Sequence, residues 1–231
     1  MRFDAVLFDL DGTLLDTLDD IADSVNAVLD KNRFPRHPND AYRYFIGDGV
    51  PMLMRRVLPK ADVDDQTVAR LVEEMREEYG RRWNVKTRAY EGVPELLDGL
   101  VQRGVQLAVL SNKPDDFTIR CVEELLSRWR FSVVAGHRRG VPPKPDPTGA
   151  LEIAGLLRTL PGRVLFLGDS GIDMETAVAA GMHPVGALWG FRTREELQKS
   201  GAKAVVENPG EVLTLMDSCS RDSDWKRRQR S

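Results

Sequence analysis

The sequence is short of several things that would direct its reading elsewhere. Cysteine is scarce: Cys121 and Cys219 stand far apart, in neither a CxxC nor a zinc-like spacing, so a disulfide framework and a cysteine metal site are excluded and reduced thiols of a cytoplasmic protein are expected. No apolar run approaches the length of a membrane span. Met1-Arg2-Phe3-Asp4 leads straight into a short apolar stretch broken at Asp9, which does not read as an export signal. Net charge of one sign is also missing. Lys and Arg total 33 against 36 Asp and Glu, a balance of −3, and with both signs interleaved neither nucleic acid nor a membrane is indicated as a partner. The exception is a polar C-terminal run carrying Arg221, Lys226, Arg227, Arg228 and Arg230. It lacks the apolar face of a surface helix, so residues 218–231 read as a solvated tail.

What is present is a repeated alternation. Ala5-Val6-Leu7-Phe8 is a continuous apolar run, and Val105 to Leu110, Phe131 to Ala135, Val164 to Leu167 and Pro184 to Leu188 repeat it. Such runs suit strands buried on both faces. Helical patterns with their own punctuation lie between them: Pro94 and Gly104 bracket one, Pro114 opens the next and Gly181 closes the one beginning near Gly171. The expected fold is therefore α/β, an open parallel sheet flanked by helices. Between Phe8 and Val105 no convincing strand appears, and the interval is far longer than a parallel crossover needs. Leu18, Ile21, Val25, Val28 and Leu29 share one helical face, and Val68, Leu71, Val72, Met75 and Tyr79 another. An inserted α-helical cap over residues 17–88 is expected, with the core domain formed by 1–16 and 89–217.

Four polar clusters follow strands, where parallel sheets bind ligands. Asp9-Leu10-Asp11-Gly12-Thr13 ends the first run, and residues two apart on an extended chain face the same side. An EF-hand opens with this spacing, but Thr13 and Leu14 occupy positions where it needs an oxygen ligand and a glycine. Ser111-Asn112-Lys113 follows the second run, Pro142-Pro143-Lys144-Pro145 sets a lysine in a stiff frame, and Gly168-Asp169-Ser170-Gly171-Ile172-Asp173 ends the fourth. Singly, these suit an Asp-Gly turn, a helix cap, a rigid loop and an acidic helix start. Jointly, all four fall on one expected ligand edge.

The ordered set, DxDGT at Asp9, Ser111-Asn112, Lys144 and GDxxxD at Asp169, resembles the haloacid dehalogenase superfamily phosphatases over about Arg2 to Met216. The resemblance implies their Rossmann-like core and an aspartyl-phosphate mechanism. Asp9 would be the nucleophile, Asp11 the general acid and base, and Lys144 the cation offsetting charge on the transferring group. A Mg²⁺ cofactor is implied, held by Asp9, the backbone carbonyl of Asp11 and Asp169, with Asp173 supporting that shell. Ser111, Asn112, Thr13, Arg43 and Gly47 would contact phosphate or substrate. Dehalogenases of the superfamily lack the second motif aspartate, whereas Asp11 is present here, which favours ester cleavage.

The stretch from Tyr42 to Leu53, with glycines at 47 and 49, is similar to the cap loop of phosphoglycolate phosphatases, and Ser-Asn-Lys-Pro at Ser111 to their second motif. The resemblance implies a small phosphorylated metabolite, with phosphoglycolate first and Arg43 or Arg55 meeting its carboxylate. Pyrophosphate, nucleotides and sugar phosphates are alternatives on the same scaffold. A sugar phosphomutase and a non-catalytic binding protein are alternatives of other classes. Monomer and homodimer are equally open.

Overall fold

The computed structural model describes residues 3–60 and 64–218. Cys219 and the basic residues expected in a tail lie outside them. The chain enters through β1 (Ala5–Phe8), then a two-residue strand β2 (Leu15–Asp16). Helices α1 (Leu18–Lys31), α2 (Tyr42–Phe45), α3 (Val50–Val57) and α4 (Asp65–Arg82) follow, closed by β3 (Arg88–Ala89), which pairs antiparallel with β2. Thereafter strand and helix alternate: α5 (Val93–Gln102), β4 (Gln106–Pro114), α6 (Asp115–Leu125), β5 (Val133–His137), α7 (Thr148–Leu156), β6 (Val164–Gly168), α8 (Gly171–Ala179), β7 (His183–Ala187), α9 (Arg194–Lys199) and β8 (Ala204–Val206). A helical stretch spans 210–218.

The main sheet is six-stranded in the order β5-β4-β1-β6-β7-β8, and every pairing in it is parallel. The chain builds outward from β1 on one side and then returns to build outward on the other. The crevice at such a reversal is where open α/β sheets take ligands. Register sharpens the point: Phe8 pairs with both Val109 and Leu167, so the residues just beyond these three lie level across the central strands. Strand alternation sends Val6 and Phe8 to one face and Ala5 and Leu7 to the other. Ala5 and Leu7 pack with Ala150, Ile153 and Ala154 of α7 and Ala177 of α8. Val6 and Phe8 belong to an apolar cluster that includes Leu96 and Leu100 of α5 and Cys121 of α6, and runs on into α1, α3 and α4.

Three differences from the sequence expectation are local. Two strands, β2 and β3, lie in the interval that reads as strand-free; at two residues each they are too short to leave a periodic signal. The three-residue β8 at the sheet edge escapes for the same reason. And β4 continues through Ser111, Asn112 and Lys113, residues whose polarity suggests that the strand has already ended.

The ribbon of β2 and β3 brings the two ends of the helical segment together, and a buried carboxylate fastens them. Asp20, in the first turn of α1 and 1% exposed, accepts from the backbone N–H of Lys86 (2.9 Å), the N–H of Thr87 (2.8 Å) and the Thr87 hydroxyl (2.8 Å). A buried carboxylate is tolerated only when its lone pairs are filled in this way. Removing it orphans the buried N–H and hydroxyl of Thr87 and the half-buried N–H of Lys86. Asp20→Ala should therefore cost about 2–4 kcal/mol in urea unfolding; a loss under about 0.5 kcal/mol would contradict the fastening role.

Candidate active site

The shared register of the central strands puts Asp9, Ser111 and Asp169 on one edge. Lys144 reaches it from the loop before α7, and its Nζ donates to Asp9 Oδ1 (2.8 Å) and Asp173 Oδ1 (2.6 Å). Asp173 is completely buried; its other oxygen accepts from the Ser170 hydroxyl (2.6 Å) and N–H (3.1 Å), in a capping box that opens α8. Asp169, 1% exposed, accepts from the Thr13 hydroxyl (3.2 Å) and the Phe191 N–H (2.8 Å). Asp11 turns away from these carboxylates. Its Oδ1 accepts from Lys113 Nζ at 2.7 Å, and that ammonium lies 4.8 Å from the centre of the Tyr79 ring.

Close backbone approach makes this geometry possible. Gly12 has φ +87°, and a Cβ there would lie 2.4 Å from Asp169 Oδ2; one at Gly190 would lie 2.3 Å from Asp169 Cβ. Both positions hold Asp169 from either side and admit no side chain.

The charges do not balance. When all four are ionised, Asp9, Asp11, Asp169 and Asp173 set four negative charges against the two positive charges of Lys113 and Lys144. Arg192 is matched by Glu196 at 3.2 Å. Burial pushes Asp9 up to about 7; Lys144 pulls against this, while the charges of Asp173 and Asp11 add to it. Asp169 is held well above the usual carboxylate range by burial, then by Asp173 and Asp9, against the Phe191 N–H and Arg192. For Lys144 burial opposes the charge, but Asp173 and Asp9 outweigh it and raise the ammonium above its ordinary value. Burial likewise opposes charge on Lys113, and Asp11 leads the groups that keep it well above the ordinary range.

A deficit of two positive charges among carboxylate oxygens fits a hard divalent cation. One oxygen each from Asp9, Asp169 and Asp173 lies within 4.8 Å of the others, and Asp9 Oδ2 is bonded by no described residue. The Asp11 carboxylate is not part of this group, leaving its backbone carbonyl as the donor that the family resemblance implies.

Above the edge lies a cavity of about 380 Å³, walled by Asp9, Asp11 and Ser111 below and by Ile46, Leu53 and Met75 above. Ser111 is 4% exposed and its Oγ accepts from the Lys113 N–H (3.3 Å). Other residues expected to touch substrate have different partners. Asn112 is committed on both sides of its amide: Nδ2 donates to the carbonyls of Lys144 and Gly47 (3.0 Å each), and Oδ1 accepts from the Lys144 N–H (2.9 Å). It therefore positions the lysine loop. Thr13 holds Asp169, and its carbonyl accepts from Trp189 Nε1 (2.9 Å). Gly47 lines the cavity. Arg43 donates to the Gly190 carbonyl (2.9 Å), and Arg55 pairs with Asp65; neither is in the cavity wall. Lys113 and Arg192, both lining it, escaped the sequence reading. The only hint of Lys113 was its place beside Ser111, and nothing local marks Arg192.

A carboxyl that binds its proton more tightly folded than unfolded stabilises the fold fully below its unfolded pKa and loses that contribution as pH rises through the folded one. For Asp9 the window runs from 3.8 to about 7. Metal-free protein should thus melt at falling temperature from about pH 5.5 to about pH 7.5, and a saturating divalent cation or Asp9→Asn should flatten the slope. His183, held low by burial and Lys203, acts with the opposite sign but is untouched by that substitution. Equal slopes for wild type and variant in chelator would contradict the charge deficit.

No described helix is long and apolar enough to cross a membrane. The family profile described as haloacid dehalogenase-like hydrolase matches residues 6–187. A phosphoglycolate phosphatase of Haemophilus influenzae (strain 86-028NP) is 32% identical over 225 residues, covering 93% of this chain and 99% of that one. One from Aquifex aeolicus is 30% identical, with 92% and 96% covered. Among solved structures, a proposed phosphoglycolate phosphatase from Lactobacillus delbrueckii subsp. bulgaricus superposes with TM-score 0.88 at 29% identity, covering 94% and 99%. With its parallel sheet, four motifs on one edge and a profile match across most of its length, the chain belongs to the haloacid dehalogenase-like hydrolase family.

Proposed function

We propose that the protein is a Mg²⁺-dependent phosphomonoesterase that passes the phosphoryl group of 2-phosphoglycolate through Asp9 to water. The observation that carries this reading is the pairing of two aspartates with opposite surroundings. Asp9 lies against Lys144 beside the acidic cluster, whereas Asp11, two residues on, is held apart by its own lysine. The substrate follows the activity by which the relatives are named.

Asp9 Oδ2, bonded by no described residue, attacks phosphorus in line with the ester oxygen, giving an aspartyl-phosphate and the alcohol. Lys144 fixes the nucleophile through Oδ1 and offsets charge on the transferring group. Lys113 holds Asp11 Oδ1, leaving Oδ2, which no described residue bonds, to give a proton to the departing oxygen and later take one from the attacking water. Ser111 faces the same space as a donor to a phosphoryl oxygen. Asp9, Asp169 and the Asp11 carbonyl would hold Mg²⁺, which when bound lowers the repulsion between carboxylate and phosphate dianion. Residues 17–88 act as a cap. Arg43 to Gly190 and Asn112 to Gly47 are contacts between that cap and the core, and their making and breaking would admit and enclose the substrate.

Purified protein should release phosphate from 2-phosphoglycolate in Mg²⁺ and not in chelator. Asp9→Asn should abolish release, Asp11→Asn should lower kcat by about 10²–10⁴, and Lys144→Met by about 10²–10³. Retention of turnover by Asp9→Asn would rule out the covalent route. If pyrophosphate, a nucleotide or a sugar phosphate is turned over and phosphoglycolate is not, the substrate changes and the chemistry stands. Solution scattering should show a more compact particle with Mg²⁺ and a phosphate analogue than without; an unchanged curve would contradict cap closure.

A further inference from the structure

Phosphoglycolate presents two anions, and the catalytic edge accounts for only one. Because its leaving group has only two carbons, a receptor for the carboxylate must sit beside the catalytic aspartates and not at the far wall of the cavity. Among the described residues, three cationic side chains line that cavity: Arg76, Lys113 and Arg192. Arg76 is half exposed on α4 and grips Asp116 with both terminal nitrogens. Lys113 is committed to Asp11 and the Tyr79 ring.

Arg192 differs from both. Its side chain is 8% exposed; Nη2 donates to the Ile46 carbonyl (2.9 Å) and Nε faces Glu196. Nη1 is buried and has no partner among the described residues. A buried guanidinium nitrogen left without an acceptor is costly and uncommon, and calls for one. The residue also stands in the right place. It follows Phe191, whose N–H binds Asp169, and its positive charge is felt at Asp169. Gly47, with no side chain, adjoins it: a Cβ there would lie 3.7 Å from Nη2, and both residues line the cavity.

We propose that Arg192 is the receptor for a carboxylate on the leaving group, the residue by which this site selects an anionic alcohol. The inference rests on the phosphomonoesterase reading and deepens it. Nη1 is closed to water in this conformation, so the carboxylate meets it as the loop at Ile46 and Gly47 lifts and resettles over bound substrate. A planar fork already fixed by Ile46 and Glu196 presents its remaining edge at little further entropic cost. The sequence reading assigned this work to Arg43 or Arg55, but both are occupied outside the cavity.

The test separates recognition from turnover. 3-Phosphonopropionate, the non-hydrolysable methylene analogue of phosphoglycolate, and propylphosphonate, which lacks the carboxylate, are titrated calorimetrically into Mg²⁺-loaded wild type, Arg192→Met and Arg192→Lys. Wild type should prefer the carboxylated analogue by about 10- to 100-fold. Arg192→Met should erase most of that ratio and Arg192→Lys, which keeps the charge but not the fork, should lose part of it. With phosphoglycolate the variants should raise KM far more than they lower kcat. No preference in wild type, or the same preference in the variants, overturns the proposal. Melting curves establish whether each variant is folded, and if Arg192→Met is not, Arg192→Lys decides. A preference that depends on Arg192 in a protein that hydrolyses nothing would sink the phosphatase reading and leave the receptor. Phosphoglycolate turnover with an unchanged ratio would do the reverse.

Discussion

Four carboxylates are gathered at the end of a buried sheet with two lysines to answer them, and the surrounding structure is organised by that imbalance. Buried charge is tolerated only when lone pairs are filled and opposite charge is near. Each acidic group accordingly has dedicated donors: Ser170 and Lys144 for Asp173, Thr13 and the Phe191 N–H for Asp169, Lys113 for Asp11. The donors are themselves held. Asn112 clasps the Lys144 backbone from two directions, and Trp189 bonds the Thr13 carbonyl. What remains, once the carboxyls are ionised, is a surplus of two negative charges, suited to a divalent ion.

The same edge is where the helical segment meets the sheet. Arg43 reaches the Gly190 carbonyl, Arg192 reaches that of Ile46, and Asn112 reaches that of Gly47. These three bonds join α2 and the loop after it to segments that also hold Asp169 and Lys144. A shift of that loop is therefore felt at Asp169 and Lys144 through one or two hydrogen bonds. At the opposite end of the segment, the Asp20 carboxylate secures its return to the sheet.

Much of this was legible in the sequence because it is written in short-range pattern. Continuous apolar runs announce buried parallel strands, and DxDGT and GDxxxD follow two of them directly. Asp9, Asp11, Lys144, Asp169 and Asp173 could be assembled on one edge without coordinates. Positions that depend on distant partners could not. Arg192 and Gly190 lie in a loop with no motif, and their importance arises only because that loop folds against Asp169. Lys113 stood in plain view beside Ser111, but a strand continuing through polar residues hid its inward direction. Thr13 and Asn112 have the chemistry to bind phosphate, yet their hydrogen bonds are taken by the protein, and Arg43 reaches the Gly190 carbonyl outside the cavity. A residue type indicates what a side chain can bind, whereas the fold decides which partner is nearest.

The charge deficit is tested most directly by calorimetric titration of Mg²⁺ into metal-free protein at about pH 6.5, in two buffers of different ionisation enthalpy. Burial holds Asp9 near about 7 and Asp169 well above the usual range, so a bound cation displaces protons from them. Saturable binding of a single ion per chain is expected, with an observed enthalpy that differs between buffers by the amount expected for proton release, and both should be lost in Asp169→Asn. Absence of saturable binding, or binding that Asp169→Asn leaves unchanged, would contradict it.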